Sequence, residues 1–287
     1  MKRIKTVFAV LVLVMLCFSA TAQNVLDRAY EKEHNMKKKP IPYTYLREAD
    51  VMWHHRIWRV IDLREKANFP LYYPIDEGLK DRSSLFKIIK NAVYPPDQSA
   101  PKLTAYRWED GDEFTVKMNA LEVQKVLTSS DTAYVPSDPT DPSSPLVPKL
   151  VVENLDPTKV KQYWMKEDWF FDKQKSVLEA RVIGIMPIVA GKGAIAGVTG
   201  TFWIYFPELR TIIAKEEVFN RHNDAERLTF DDLFWKRQFA SYISKENNVY
   251  DNRLISAYKG NNTIDALLES ENIKEKIFNL EHDLWHF

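Results

Sequence analysis

Cysteine is almost missing from this chain of 287 residues: there is one, Cys17. That excludes a disulfide framework and a thiolate metal site. Glycine is also scarce. Four of the eight residues, Gly191, Gly193, Gly197 and Gly200, fall in one loop, GKGAIAGVTG. A charge excess of either sign is absent: 40 Lys and Arg balance 40 Asp and Glu. No global basic field therefore draws in nucleic acid or anionic lipid. Beyond the first 22 residues no run of 18 apolar residues occurs, so nothing there reads as a membrane span. What is present is a globular composition, 45% hydrophobic and 28% charged, with enough chain for a real core. Aromatics reach 13%, including eight Trp. A Trp-rich core absorbs some of them; a surplus serves protein–protein contact.

The first 22 residues read as a signal peptide. Lys2, Arg3 and Lys5 are the positive start, Val7 to Phe18 the apolar stretch, and Ala20-Thr21-Ala22 the small-residue cleavage signal. Cleavage between Ala22 and Gln23 is expected, with export to the periplasm. Cys17 lies inside this segment after the large Val14-Met15-Leu16, which does not suit lipid attachment. The mature chain then lacks any cysteine nucleophile, and acidic residues are in slight excess. Residues 23–46, with Lys37-Lys38-Lys39-Pro40 and Pro42, read as an extended arm, either a free tail or one laid over a neighbouring subunit.

Residues 47–287 are expected to form a single α+β domain. Its centre is Val160 to Lys215. VKQYWMKEDWFF is aromatic and β-prone, DKQK closes a hairpin, and SVLEARVIGIMPI follows. There Leu178, Ala180, Val182 and Met186 alternate with Glu179, Arg181 and Ile183. TFWIYF, apolar on both faces, reads as a covered third strand of an antiparallel meander. Ahead of this centre, Glu48 to Ala67 reads as a helix through Val51, Ile57, Trp58 and Ile61, carrying Trp53, His54 and His55. Two adjacent histidines point about 100° apart on a helix and do not share a metal. LFKIIKNAVY is a helix capped by Ser83 or Ser84 and stopped by Pro95-Pro96. Asp110-Gly111 marks a hairpin in LTAYRWEDGDEFTVKM, and NALEVQKVLTSS is a short helix.

Pro136, Pro139, Pro142, Pro145 and Pro148 repeat with a strict period of three. That is the period of a polyproline II helix, and 13 such residues would reach about 40 Å. The proline-rich loop 136–148 is either an inert loop or a strap to a neighbouring subunit. The glycine-rich loop lacks G-x-x-x-x-G-K-[ST] and leads into a strand, so it reads as a hairpin tip and not a phosphate cradle. Near the C-terminus, Thr229 and Asp232 make a capping box for a helix FDDLFWKRQFASYIS, whose starting acids face the macrodipole. TIDALLESENIKEKIFNLEHDLWHF is an amphipathic helix with Ile264, Leu267, Leu268, Ile273, Ile277, Leu280 and Leu284. His282 and His286 share a face there, but Asp283 stands where a zinc protease needs Glu.

Three blocks, KEDWFFDKQKSVLEARVIGIMPI, FWIYFPELR and EVFNRHNDAERLTFDDLFWKRQFASYISKENNVYD, resemble the GldN/PorN family of Bacteroidota, over roughly residues 25–260. The resemblance implies a non-enzymatic periplasmic subunit of the type IX secretion system and gliding machinery. It implies a ring built with an outer-membrane lipoprotein of the GldK/PorK kind, touched by an inner-membrane motor of the GldL/GldM (PorL/PorM) kind, and no cofactor. For contacts, the aromatics Trp53, Trp58, Trp235 and Tyr242 are the first candidates, with the five prolines. An exported hydrolase would have to draw on His222, Asp224, Glu226 and Asp231, without a nucleophile elbow or zinc motif. A small-molecule binding module would need a pocket that a sequence does not reveal.

Overall fold

A computed structural model describes residues 37–75, 82–97, 99–136, 146–190, 198–220, 223, 226–260 and 262–283. The signal segment, the arm up to residue 36, Pro139, Pro142, Pro145, the loop 191–197, His222, Asp224, Leu284 and His286 lie outside them. All described residues belong to one compact unit, Met36–Phe287.

The strands are β1 Val51–Asp62, β2 Ala105–Tyr106, β3 Thr128–Pro136, β4 Leu146–Asn154, β5 Val160–Asp172, β6 Val177–Ala190, β7 Val198–Gly200, β8 Trp203–Tyr205, β9 Glu217–Val218, β10 Leu228–Thr229 and β11 Tyr242–Glu246. The helices are α1 Phe69–Tyr72, α2 Leu85–Val93, α3 Ala120–Leu127, α4 Phe206–Ile213, α5 Phe230–Trp235, α6 Ile255–Tyr258 and α7 Thr263–Asp283. The main sheet is antiparallel in the order β11-β1-β5-β6-β8-β2, with β7 added to β6. The class is α+β, and the meander β5–β6–β8 is the expected one.

The β5–β6 hairpin forms where the polar tetrad breaks two β-prone runs. Asp172 accepts from the backbone N–H groups of Gln174 and Lys175, and Ser176 takes the left-handed conformation at φ 54°. The ladder has a bulge between Lys166 and Glu167, opposite Val182 and Gly184. A bulge moves the following side chains to the other face. Val182 and Ile185 therefore enter the main core, while Met186 joins a second cluster. Strict alternation through Met186 was the expectation, and the extra residue breaks it.

The stretch from Glu48 is not the expected helix. A turn at Glu48–Asp50 leads into the twelve-residue strand β1. VMWHHRIWRVID is rich in β-branched and aromatic residues, which fit a pleated surface. Its last six residues are buried on both faces. Burial on two faces erases period 2, and the apolar spacing then mimics a helix.

One sheet face carries the main core. Tyr163, Met165, Val182, Ile185, Phe202 and Ile204 meet Leu85, Phe86 and Ile89 of α2, Phe206, Leu209 and Ile213 of α4, and Phe230, Leu233 and Phe234 of α5. Ser84 caps α2, its hydroxyl accepting from the Lys87 N–H. A second cluster, Trp58, Tyr106, Met186, Ile188 and Trp203, is packed by Phe114 and Trp164. Ile57, Ile243, Ile255, Ile273 and Ile277 form a third, where α6 and α7 meet β1 and β11.

One further expectation is corrected. The helix from Phe230 stops at Trp235, and the Tyr242 segment is strand β11 on β1. The flanks of the proline-rich loop are themselves strands. β3 and β4 pair in antiparallel register, with Tyr134 opposite Pro148 and Pro136 opposite Leu146. The two ends of 136–148 therefore lie side by side instead of about 40 Å apart. The flanking segments are β-prone, and a two-stranded ribbon consists of edge strands, which tolerate proline.

Candidate interaction surface

Helix α5 ends in a Schellman turn: the Gln238 N–H donates to Leu233 O at 3.0 Å and the Arg237 N–H to Phe234 O at 3.2 Å. Arg237 holds the left-handed position, φ 52°, that glycine usually takes. The strain is offset by its guanidinium. Arg237 Nη2 donates to both oxygens of Glu167, at 2.9 and 3.0 Å, and the group lies over Trp169 at 5.1 Å. Glu167 is fully buried and also accepts from Arg59 Nε and Trp169 Nε1, each at 3.0 Å. Burial pulls the Arg59 guanidinium below the ordinary arginine value, against the opposing pull of Glu167. Two cations thus share one buried carboxylate. They border a cavity of about 710 Å³ between β11 and α7, with walls from Trp169, Leu178, Phe239, Tyr242, Leu267 and Phe278.

A second site lies under the arm. Tyr43 stacks on Trp235, centroids 5.7 Å apart and planes inclined by 21°. The guanidinium of Arg210 is 4.4 Å from the Tyr43 ring centre and that of Arg181 is 5.2 Å from it. Arg210 is held by Asp231 through bonds of 2.7 and 3.2 Å, both groups buried. Burial pushes the Tyr43 phenol up, against the lowering pull of Arg210. Thr44 Oγ1 accepts from Lys175 Nζ at 2.8 Å and Arg181 Nη2 at 3.2 Å, and Lys38 Nζ donates to Asp232 at 2.6 Å. A cavity of about 380 Å³ remains beneath the arm.

On the sheet face of the second cluster, Asp112 takes the Trp58 indole N–H, and Lys166 Nζ donates to Asp112 O at 2.7 Å. Burial lowers the Lys166 ammonium, against the pull of Asp112. Arg56 grips Asp168 through bonds of 2.6 and 2.9 Å, with His54 at 3.4 Å. His55, on the other side of the strand, meets Glu246 at 3.2 Å. The two histidines are divided by the pleat of a strand, not by a helix turn. Among the described residues no group of three or more His, Cys, Asp or Glu is placed to hold a metal.

With these sites placed, comparison with known proteins gives one positive finding. A family model described as gliding motility associated protein GldN matches residues 46–286. The chain belongs to the GldN family. A search of curated proteins returned no match. In this GldN chain the match begins at Leu46, so Tyr43 precedes it while Arg181, Arg210 and Trp235 lie within it.

The candidate aromatics of the GldN chain have separate fates. Trp58 is 5% exposed and serves the second cluster, so its ring is core and not surface. Trp53 is half-buried, packs on the third cluster and stacks with His55. Tyr242 is half-buried on β11 and lines the larger cavity; burial raises its phenol. Trp235 remains 49% exposed beneath Tyr43. Pro136 and Pro148 sit on the β3–β4 ribbon. Of the residues named for a hydrolase, Glu226 accepts from Asn220, and Asp231 is bound to Arg210 instead of merely facing the macrodipole. Asp232 makes the expected capping box with Thr229. His282, largely exposed, neighbours Asp283.

Tyr43, Arg59, Glu167, Arg181, Arg210 and Arg237 went unrecognised in the sequence. The available signal was weak: charges set between apolar residues, Glu167 in WMKEDWFF and Arg210 in YFPELRTII. Such charges are buried only when paired.

Proposed function

We propose that this GldN-family chain is a non-enzymatic structural subunit of the type IX secretion and gliding machinery. It is exported by the segment 1–22 and works in the periplasm at the inner side of the outer membrane. There it builds a ring with a GldK/PorK-like lipoprotein and contacts a GldM/PorM-like motor protein. Family membership over residues 46–286 is the observation that carries this reading. The exposed Trp235 and, on α7, the exposed Ile264, Leu267, Leu268 and Phe278 agree with a chain built to be covered by partners. Of the groups that a hydrolase would use, Asp231 is held by Arg210 and Glu226 by Asn220.

Size-exclusion chromatography with light scattering, on residues 23–287 alone and with the candidate lipoprotein, tests the reading. A large discrete complex is the expected result. A monomer indifferent to the lipoprotein overturns it. The cavity of about 710 Å³ gives a small-molecule reading a foothold; a ligand-dependent rise in melting temperature would support that alternative.

A further inference from the structure

Residues 38–46 are held on the domain by side chains. Among the described residues no backbone–backbone hydrogen bond joins this arm to the sheet or the helices. Its ties are Lys38 to Asp232, Tyr43 in its slot, and Thr44 to Lys175 and Arg181. Past Thr44 the chain makes only local bonds, Arg47 to Asp50, until Lys173 N–H takes Asp50 O at the start of β1. Among the described residues, 45–49 thus make no hydrogen bond to the sheet or the helices, and they join the arm to a fixed strand.

The slot is built on fixed elements of the domain. Arg181 stands on β6, Arg210 on α4 locked to Asp231, and Trp235 at the end of α5. Arm and slot are separate patches of one chain, so the arm of any copy fits the slot of any other with the same contacts. The surroundings also remain uncovered: Tyr45 is 90% exposed, Ile41 62% and Trp235 49%.

We infer that the arm is exchanged, the Tyr43 of one copy seating between Arg181, Arg210 and Trp235 of the next copy in the assembly. The occupant is a second copy of this chain. Exchange of identical segments conserves every contact of the closed monomer, which makes it a low-cost route to association. An arm that gives and a slot that receives are different surfaces, so the contact is head-to-tail, the type that closes into rings. The joint between Thr44 and Asp50 spans about 20 Å when extended, so the receiving slot must lie within that distance on the adjoining protomer. Tyr45, 90% exposed in the closed form, lies in the joint that would pass beside the neighbour. The inference rests on the ring-subunit reading above.

The test uses the mature chain, in which Cys17 is absent once the signal segment is removed. Thr44→Cys is placed in one tagged preparation and Lys175→Cys in another, and both are assembled together with the lipoprotein. A short bis-maleimide is then added. Exchange predicts a covalent dimer carrying both tags in the assembled fraction, and its loss when Tyr43→Ser is added to the Thr44→Cys chain. An assembly that forms normally, yet cross-links only within a doubly substituted Thr44→Cys/Lys175→Cys chain at monomer mass, overturns exchange and leaves the ring reading standing. Absence of any assembly with the lipoprotein sinks both.

Discussion

At the scale of single residues, Arg237 and Glu167 show how a locally unfavourable choice is compensated at a distance. A left-handed arginine closes α5 because its side chain then reaches a carboxylate buried under Trp169. Glu167→Gln leaves Arg59 and Arg237 around a neutral amide, and breaking a buried pair costs about 3–5 kcal/mol. Urea denaturation followed by tryptophan fluorescence should show a midpoint shift of that size, with unchanged slope. Arg237→Gly relaxes the backbone but abandons the carboxylate, and should destabilise as well; a neutral or stabilised protein would mean that the pair carries little. A Cβ at Gly184 would run into the ring of Phe114. Phe114 packs the second cluster beside Tyr106 and Trp203. Gly184→Ala should therefore cost about 1–3 kcal/mol by overpacking, read in thermal melts.

At the scale of elements, the arm and α7 separate stabilising contacts from surface. The Asp232 carboxyl is pushed up by burial, but hydrogen bonds from Lys38 and Thr229 outweigh this and hold it below the usual range. A depressed carboxylate contributes stability that is present above its unfolded value, about 3.9, and lost as pH falls through its folded value. The arm should stay docked from neutrality to about pH 4 and loosen below it. The Tyr43 ring resonances, shifted by stacking on Trp235, followed by NMR against pH check this, and Asp232→Asn should remove the step. On α7, Ile273 and Ile277 are buried, whereas Ile264, Leu267, Leu268 and Phe278 are exposed. Ile273→Ala should cost about 2–5 kcal/mol of stability. Leu268→Asp should leave the melting temperature nearly unchanged and weaken co-elution with the lipoprotein or the motor protein; full retention of both complexes would show that this face is not a contact.

At the scale of the whole molecule, helices line one face of an antiparallel sheet, while on the other the loop carrying Asp112 and Phe114 covers Trp58 and Trp203. The arm from residue 38 passes over β6, α4 and α5. Removing residues 23–46 exposes the Trp235 slot without touching the main core. The truncated chain should fold with a melting transition close to that of the mature protein. It should fail to form the large complex if the arm joins copies, which light scattering reads directly.

Local chemistry was enough to read several elements from the chain. The DKQK turn, the β5–β6 hairpin, the Ser84 and Thr229 caps and the α7 segment each depend on neighbours a few residues away. β1 and β11 were misread because burial on two faces, or a stop at a left-handed arginine, is decided by residues far along the chain. The proline period left a loop and a strap both open, and no local pattern announced that its flanks pair as β3 and β4. Which charges are buried, and with which partners, was wholly tertiary. Glu167 meets Arg59 from 108 residues before it and Arg237 from 70 after it, and no local pattern records a partner at that separation.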